Sequence, residues 1–515
     1  MILAAYEKWG DRCPEFLLGE FAFAVWDPNR RRLFCARDHT GLRPFFYWYT
    51  GSMLAFSSDP LNLFAIPGIR RELNRTKLGT FAAAFFRDDG HPHETFFRGI
   101  FSLPSATALS FDGVGLNTRR YWDPEETLVQ VPARPEEAFE ALRELLFEAV
   151  DCRIRTKETT AVFLSGGLDS SALTAIAARC LARTNRSLTA LAAVLPESSK
   201  PRFTDEREFV EEFRTYPNLN IEYVAPETGG PFDGIEDASE FAAGPVVHPA
   251  GYLLDALHHA ALGRSAQVVL WGTGGEAGPT APAREYYLEL ALGMRWATLT
   301  RELRQFRARY RVKPTRFLGK LARDLLYPDG IGASPRMFLF APDFLRQAED
   351  IPLQRVRWPD HRTEQRRVID GIRNVHALPY RTTAHRAPVA YPFLDKRVLE
   401  FCLAAPGHLK VRNGYQRYLI RGALSGILPE KIQWRTGKRV FAPDYPVRFR
   451  AQQENALRLI ASIGARDPVR GIVDVDGLVR LLQRDLSADR EKSLREVPFT
   501  IYLICFLRQF SEFRP

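Results

Sequence analysis

Over its first 120 residues the chain alternates short apolar runs with clusters of turn-forming residues. Glu20–Asp27 (EFAFAVWD), Arg32–Arg37 (RLFCAR), Pro44–Tyr49 (PFFYWY) and Met53–Ser57 (MLAFS) have the length and aromatic content of strands. A Pro- and Glu-containing connector, residues 122–137, follows. Beyond it Ala138, Leu142, Leu145, Leu146 and Ala149 recur at helical spacing. The pattern then changes to apolar strands alternating with helices: Thr160–Leu164, Ser187–Leu195, Asn220–Ala225 and Ala266–Trp271. That alternation predicts an α/β domain with a parallel sheet, whose ligands gather where strands run out into helix N-termini. The last 200 residues read as mainly helical. We therefore expect a β-rich domain over residues 1–125 and an α/β domain over residues 135–515.

One strand end carries chemistry. In AVFLSGGLDSSALTAIAARC the apolar strand stops at Leu164, and Ser165, Gly166, Gly167, Leu168, Asp169, Ser170 and Ser171 lead into a helix. Two glycines let the backbone turn sharply and approach a ligand, while the amides at the helix start and the three serine hydroxyls suit phosphate oxygens. Asp169 would repel a bare phosphate. Its presence points to a divalent cation between carboxylate and phosphate, so the expected ligand is a magnesium pyrophosphate group. An ordinary capped turn uses some of the same residue types, but here the strand before and the helix after are those the phosphate site requires. The loop has no GK[ST] and no lysine, which excludes a Walker-type site.

Composition narrows the class. The 515 residues are 45% hydrophobic and 12% aromatic, enough to bury more than one core. No apolar stretch approaches about eighteen residues, and the start MILAAYEKWGDRC lacks the features of a secretory signal, so we expect a cytoplasmic protein with no membrane partner. The formal charge of +10 is richest over residues 301–323. There Leu303, Phe306, Tyr310, Phe317 and Leu321 form a helical stripe interrupted at Pro314, which reads as a solvated helix face and gives no reason to expect nucleic acid. Cys13, Cys35, Cys152, Cys180, Cys402 and Cys505 show neither CxxC nor zinc spacing and read as buried small hydrophobes.

The segment SGGLDSS resembles the pyrophosphate loop of the asparagine synthetase family of ATP-pyrophosphatases, which split ATP between the α and β phosphates. The resemblance implies a parallel-sheet synthetase domain with a helical C-terminal part, preceded by a β-rich glutaminase domain of the Ntn-hydrolase kind. It implies ATP and Mg²⁺ as cofactors, with Leu164 and Val194 added to the nucleotide set. VVLWGTGGEAG, residues 268–278, is similar to a second glycine-rich turn: Gly272, Gly274 and Gly275 allow close approach, and Glu276 stands where the family has a metal-binding aspartate. Residues 389–444 resemble the helical half throughout, and the resemblance assigns phosphate contact and charge stabilisation to Lys438, with Arg417 as a second phosphate-contacting base.

Two departures from the family shape the functional expectation. Members that make asparagine or a β-lactam carry a glutamate shortly before the PFLD segment. Here that position is Pro388, which cannot accept a proton, and His385 is the nearest substitute. At the amino end GEFAFAVWD and ARDHTGLRPFFY resemble the middle of the glutamine amidotransferase domain, yet Ile2 stands where active glutaminases have a cysteine, and neither Cys13 nor Cys35 can act as a terminal thiol. The domain reads as truncated, either by a start placed too far downstream or by degeneration. Together with the arginine-rich insert, these departures resemble the macrolactam-forming cyclases of lasso peptide pathways, which adenylate an acidic side chain and let the peptide's own amine attack. The expected partners are then a carboxylate substrate, small or peptidic, and possibly a precursor peptide with its processing protease. An ammonia-dependent asparagine synthetase, a β-lactam synthetase-like ligase and an inactive ATP-binding subunit remain open.

Overall fold

The computed structural model describes residues 1–84, 93–127, 129–199, 203–233, 235, 244–245, 250–311, 319, 338–349, 360–374, 387–483 and 490–510. Its amino-terminal part opens with helix α1 (Ile2–Trp9) and, among the described residues, holds seven strands: β1 (Ala22–Asp27), β2 (Arg32–Arg37), β3 (Phe46–Tyr49), β4 (Leu54–Ser57), β5 (Phe101–Ser102), β6 (Thr107–Phe111) and β7 (Leu116–Arg120). They form two antiparallel sheets, ordered β1-β2-β6-β7 and β4-β3-β5. The first four match the expected strands to within two residues. β3 begins after Pro44, which has no N–H to give to a ladder. β5 to β7 carry weaker signals: β5 has two residues, and β7, LNTRR, is exposed along most of its length.

Helix α2 (Pro135–Ile154) crosses to the second part. Proline at its first position costs no hydrogen bond, and Glu136 and Glu137 oppose the positive helix end. There β8 (Thr160–Phe163), β9 (Leu188–Ala193), β10 (Leu219–Val224), β11 (Val268–Leu270) and β12 (Val389–Ala390) form a parallel sheet ordered β10-β9-β8-β11-β12. Period-two alternation builds a core on each face. Val162, Leu188, Val268 and Leu270 meet α2 and the Ala-rich α3 (Leu168–Ala182), whereas Phe163, Leu191 and Val269 meet Leu257 and Ala261 of α4 (Gly251–Gly263). Chain order reverses at β8, the switch point where ligands enter such sheets.

The arginine-rich stretch begins as α5 (Trp296–Tyr310), with Leu303 against the core and Phe306 stacked on Tyr310 at 4.5 Å. Pro314, Phe317 and Leu321 lie outside the described residues. Later helices include α6 (His361–Asn374), α7 (Lys396–Ala404) and α8 (Arg490–Gln509). Among the described residues no helix is long and apolar enough to cross a membrane.

The two parts share cores. Phe23, Phe34 and Ala108 pack with Ala277, Ile369, Leu394 and Leu399, and Phe46, Phe96 and Phe97 pack with Phe449, Tyr502 and Phe506. A buried ionic hub joins them at the centre. Arg153 of α2 donates to Glu20 at 3.3 Å and to Asp395 at 3.1 Å, and Glu20 also accepts the Tyr391 amide at 3.1 Å. Asp395 caps α7 by accepting the Arg397 amide and binds the Arg397 guanidinium at 3.0 Å. Burial works to raise the Asp395 pKa, but the Arg397 hydrogen bond and the charges of Arg153 and Arg397 outweigh it and hold the carboxyl below its ordinary value.

A carboxylate held down in this way stabilises the fold above its unfolded pKa and loses that contribution as pH falls below about 4. Asp395→Asn is expected to cost about 3 kcal/mol at neutral pH and to flatten the acid limb of stability against pH, measured by denaturant unfolding from pH 3 to 7.

Candidate active site

The turn after β8 is built by two glycines. Gly166 has φ +66°, and a Cβ there would lie 2.8 Å from Phe209 Cβ. Gly167 caps α3, so the free amides of that helix face the turn. Ser170 Oγ lies 3.0 Å from both the Ser165 amide nitrogen and Ser165 Oγ, which places two hydroxyls side by side at the helix start. Ser171 behaves differently. Its side chain is fully buried, and its hydroxyl has no hydrogen-bond partner among the described residues.

Asp169 sits one residue into α3 and meets the turn that follows β11. Thr280 donates to its Oδ1 at 2.5 Å. A Cβ on Gly275 would lie 1.8 Å from that same oxygen, and one on Gly272 would lie 3.1 Å from Asp169 Cβ. Gly274, at φ +93°, leaves no room for a side chain beside Leu394. Burial raises the Asp169 pKa; the Thr280 hydrogen bond and the charges of Arg417 and Lys438 lower it, and Glu276 raises it further. Four charged groups therefore share one field. Glu276 is solvent-exposed and ion-paired with Arg417 at 2.7 Å.

Lys438 arrives on the loop after residue 434 and stands over the phosphate turn: a Cβ on Gly167 would lie 3.9 Å from its ammonium. That loop is clamped. Glu206, nearly buried, accepts from Arg435 Nη2 at 2.7 Å and from the Arg439 amide at 2.6 Å. Arg435 also donates to the Gly166 carbonyl at 3.1 Å and lies 3.6 Å above the Phe209 ring. Glu206, Phe209, Arg435 and Thr280 escaped the sequence reading because isolated residues in polar loops carry no periodic signal.

Leu164, Ser165, Gly167, Asp169, Ser170, Gly272 and Lys438 all line one cavity of about 680 Å³ at the strand ends. Gly166, Ser171, Val194, Gly274, Glu276 and Arg417 stand behind or beside it and are not among its lining residues. Pro388 and Val389 line it, as do Leu42 and Arg43 from the amino-terminal part. His385 lies outside the described residues. Among the described residues no group of three or more His, Cys, Asp or Glu side chains is placed to hold a metal. Two carboxylates in one field, beside hydroxyls and helix amides, fit a Mg²⁺ that takes most of its ligands from phosphate and water.

Residues 141–505, well over half of the chain, match the family model described as asparagine synthase. The chain belongs to the asparagine synthase family. Residues 1–122 match a glutamine amidotransferase domain. A relative from Bacillus subtilis named asparagine synthetase [glutamine-hydrolyzing] 3 is 38% identical over 178 residues, covering 35% of this chain and 28% of the relative. A putative asparagine synthetase [glutamine-hydrolyzing] 2 from Methanocaldococcus jannaschii is 30% identical over 179 residues, 34% of either chain. A Penicillium rubens protein named amidase chyE is 30% identical over 183 residues, 35% of this chain and 26% of that protein. The chain thus aligns with about a third or less of the length of these relatives. Within the amidotransferase region Cys13 and Cys35 are buried, and burial pushes their thiols up to about 11 and about 12, which keeps them protonated and unreactive.

Because a Gly275 side chain would collide with Asp169, Gly275→Ala is expected to cost about 1–3 kcal/mol, whereas Gly437→Ala, with nothing within 4 Å, should stay within about 0.5 kcal/mol. Thermal unfolding of the two variants side by side checks this.

Proposed function

We propose that this chain is an ATP-dependent amide-forming ligase, with residues 135–515 carrying the chemistry and residues 1–125 forming a glutaminase-like module. The observation that carries the reading is that Asp169 and Lys438, which are distant in sequence, line the same cavity at the carboxyl ends of β8 and β11. Ser165, Ser170 and the amides of α3 bind the departing phosphates, and Asp169, with Glu276 beside the cavity, would hold Mg²⁺, which would supply positive charge against the phosphates. The substrate carboxylate attacks the α phosphorus and pyrophosphate leaves; an amine then attacks the acyl carbon, loses a proton and releases AMP. Lys438 stabilises the negative charge that develops on the leaving pyrophosphate. Arg417 is paired with Glu276 at 2.7 Å and would offer its guanidinium to a phosphate oxygen.

The finer reading is closure of a peptide macrolactam, with an acidic side chain of a precursor peptide as acyl donor and its amine, freed by a separate protease, as nucleophile. It draws support from Pro388, an apolar residue on the cavity wall where small-amine ligases of the family place a glutamate. The names of the relatives favour a second reading, asparagine synthesis. Pyrophosphate and AMP release that requires an acidic peptide supports the first, and release that requires aspartate with ammonia supports the second.

Lys438→Met is expected to bind ATP within about threefold of the parent while kcat falls about 10²–10³-fold, as for loss of one charge-stabilising donor. Steady-state kinetics alongside equilibrium ATP binding checks it; a change confined to KM would remove Lys438 from the chemical step.

A further inference from the structure

Part of the cavity wall is aromatic. Phe163 of β8 meets His258 of α4 edge-on at 5.1 Å and Trp271 at 5.6 Å, and Trp271 lies over Tyr391 with ring centres 6.1 Å apart. Leu254 and Leu257 continue the apolar lining. Into this cavity reaches one cation from the amino-terminal part, Arg43. Its guanidinium makes a single long contact, 3.4 Å to the Val389 carbonyl, and among the described residues no carboxylate pairs with it. A half-buried guanidinium beside aromatic walls gains from an anion that enters the same space.

The loop that presents Arg43 is rigidly tied. Asp38 accepts from the amides of Thr40, Leu42 and Arg43 at 2.9–3.1 Å. The buried Arg37 donates to the carbonyls of Gly41 at 2.5 Å, Arg43 at 2.8 Å and Leu103 at 2.6 Å. These bonds fix the backbone of residues 41–43, so the loop that carries Arg43 to the cavity has little backbone entropy left to lose on binding.

We infer that Arg43 is a specificity-determining residue of the acyl-substrate site: it binds a non-reacting anionic group of the acid, while Phe163, Trp271 and Tyr391 take an apolar or aromatic group of the same molecule. The substrate class is then an amphipathic acid with a second anionic group, such as an acidic peptide segment, and free aspartate leaves the aromatic wall unfilled. In this assignment the nucleoside takes the part of the cavity lined by Ala193 of β9 and Phe441. This assignment rests on the ligase reading, and it gives the amidotransferase-like part a role in substrate recognition that needs no glutamine hydrolysis.

The test uses the full chain loaded with Mg²⁺ and the α,β-methylene analogue of ATP, which cannot be cleaved at that bond, and isothermal titration with two probes, benzylsuccinate and L-aspartate. Benzylsuccinate is expected to bind at least tenfold more tightly than aspartate. Arg43→Gln should weaken benzylsuccinate at least tenfold, Arg43→Lys should recover part of the loss, and the nucleotide analogue should bind both variants within twofold of the parent. Equal benzylsuccinate affinity in parent and Arg43→Gln, aspartate binding as tightly as benzylsuccinate, or neither probe binding to a nucleotide-loaded protein would each overturn the inference. Failure of the nucleotide analogue to bind the parent chain would instead overturn the ligase reading beneath it.

Discussion

The contact of Asp169 with the glycine turn after β11 is the constraint on which the site depends. A carboxylate on the first turn of α3 and a backbone segment from a different strand approach so closely that a methyl group on Gly275 would overlap the carboxylate oxygen. Thr280 closes the contact with a hydrogen bond. This contact sets the position of Glu276 relative to Asp169 and defines one wall of the cavity. It also buries the carboxylate, which raises its pKa and leaves it in need of positive charge. Lys438 and Arg417 supply part of that charge, and a divalent cation would supply more.

Around this contact the structure spends much of its polar material on holding loops still. Glu206 and Arg435 clamp the loop of Lys438 against Gly166. Gln365 of α6 donates to the Ala277 carbonyl at 2.7 Å and accepts from the buried Lys410 at 2.6 Å, which braces the glycine turn from behind. Burial pushes the Lys410 ammonium down to about 7. The Arg153 hub ties Glu20, Tyr391 and Asp395 together, so the β12 edge of the cavity and the amino-terminal part are positioned by one buried cation. Side chains that act across a reacting centre are useful only when their loops do not wander, because small displacements cost large factors in rate.

Much of this architecture was legible in the residues. The eight strands with strong apolar signals lie within a few residues of their expected positions, because period-two burial against two cores dictates them. SGGLDSS marked a tight strand-to-helix turn lined with hydroxyls and a carboxylate, and the structure has that turn between β8 and α3. Four features were not legible. β12 is two residues long, too short to carry a pattern. Thr280 and Glu206 act through contacts that are distant in sequence. The burial of Ser171 is a matter of helical phase on the largely buried α3, which the loop chemistry alone does not express. Arg43 stood only as one residue of the ARDHTGLRPFFY segment, and its place on the cavity follows only from the packing of the two parts.

The central claim is that a magnesium nucleotide sits on the Ser165 turn with its metal bound by Asp169. Its most direct test is the affinity of the full chain for the α,β-methylene analogue of ATP, measured with Mg²⁺ and with chelator, in the parent and in Asp169→Asn. The account predicts that Mg²⁺ tightens binding at least tenfold in the parent and that Asp169→Asn loses most of this gain. The same Mg²⁺ dependence in both proteins would contradict it.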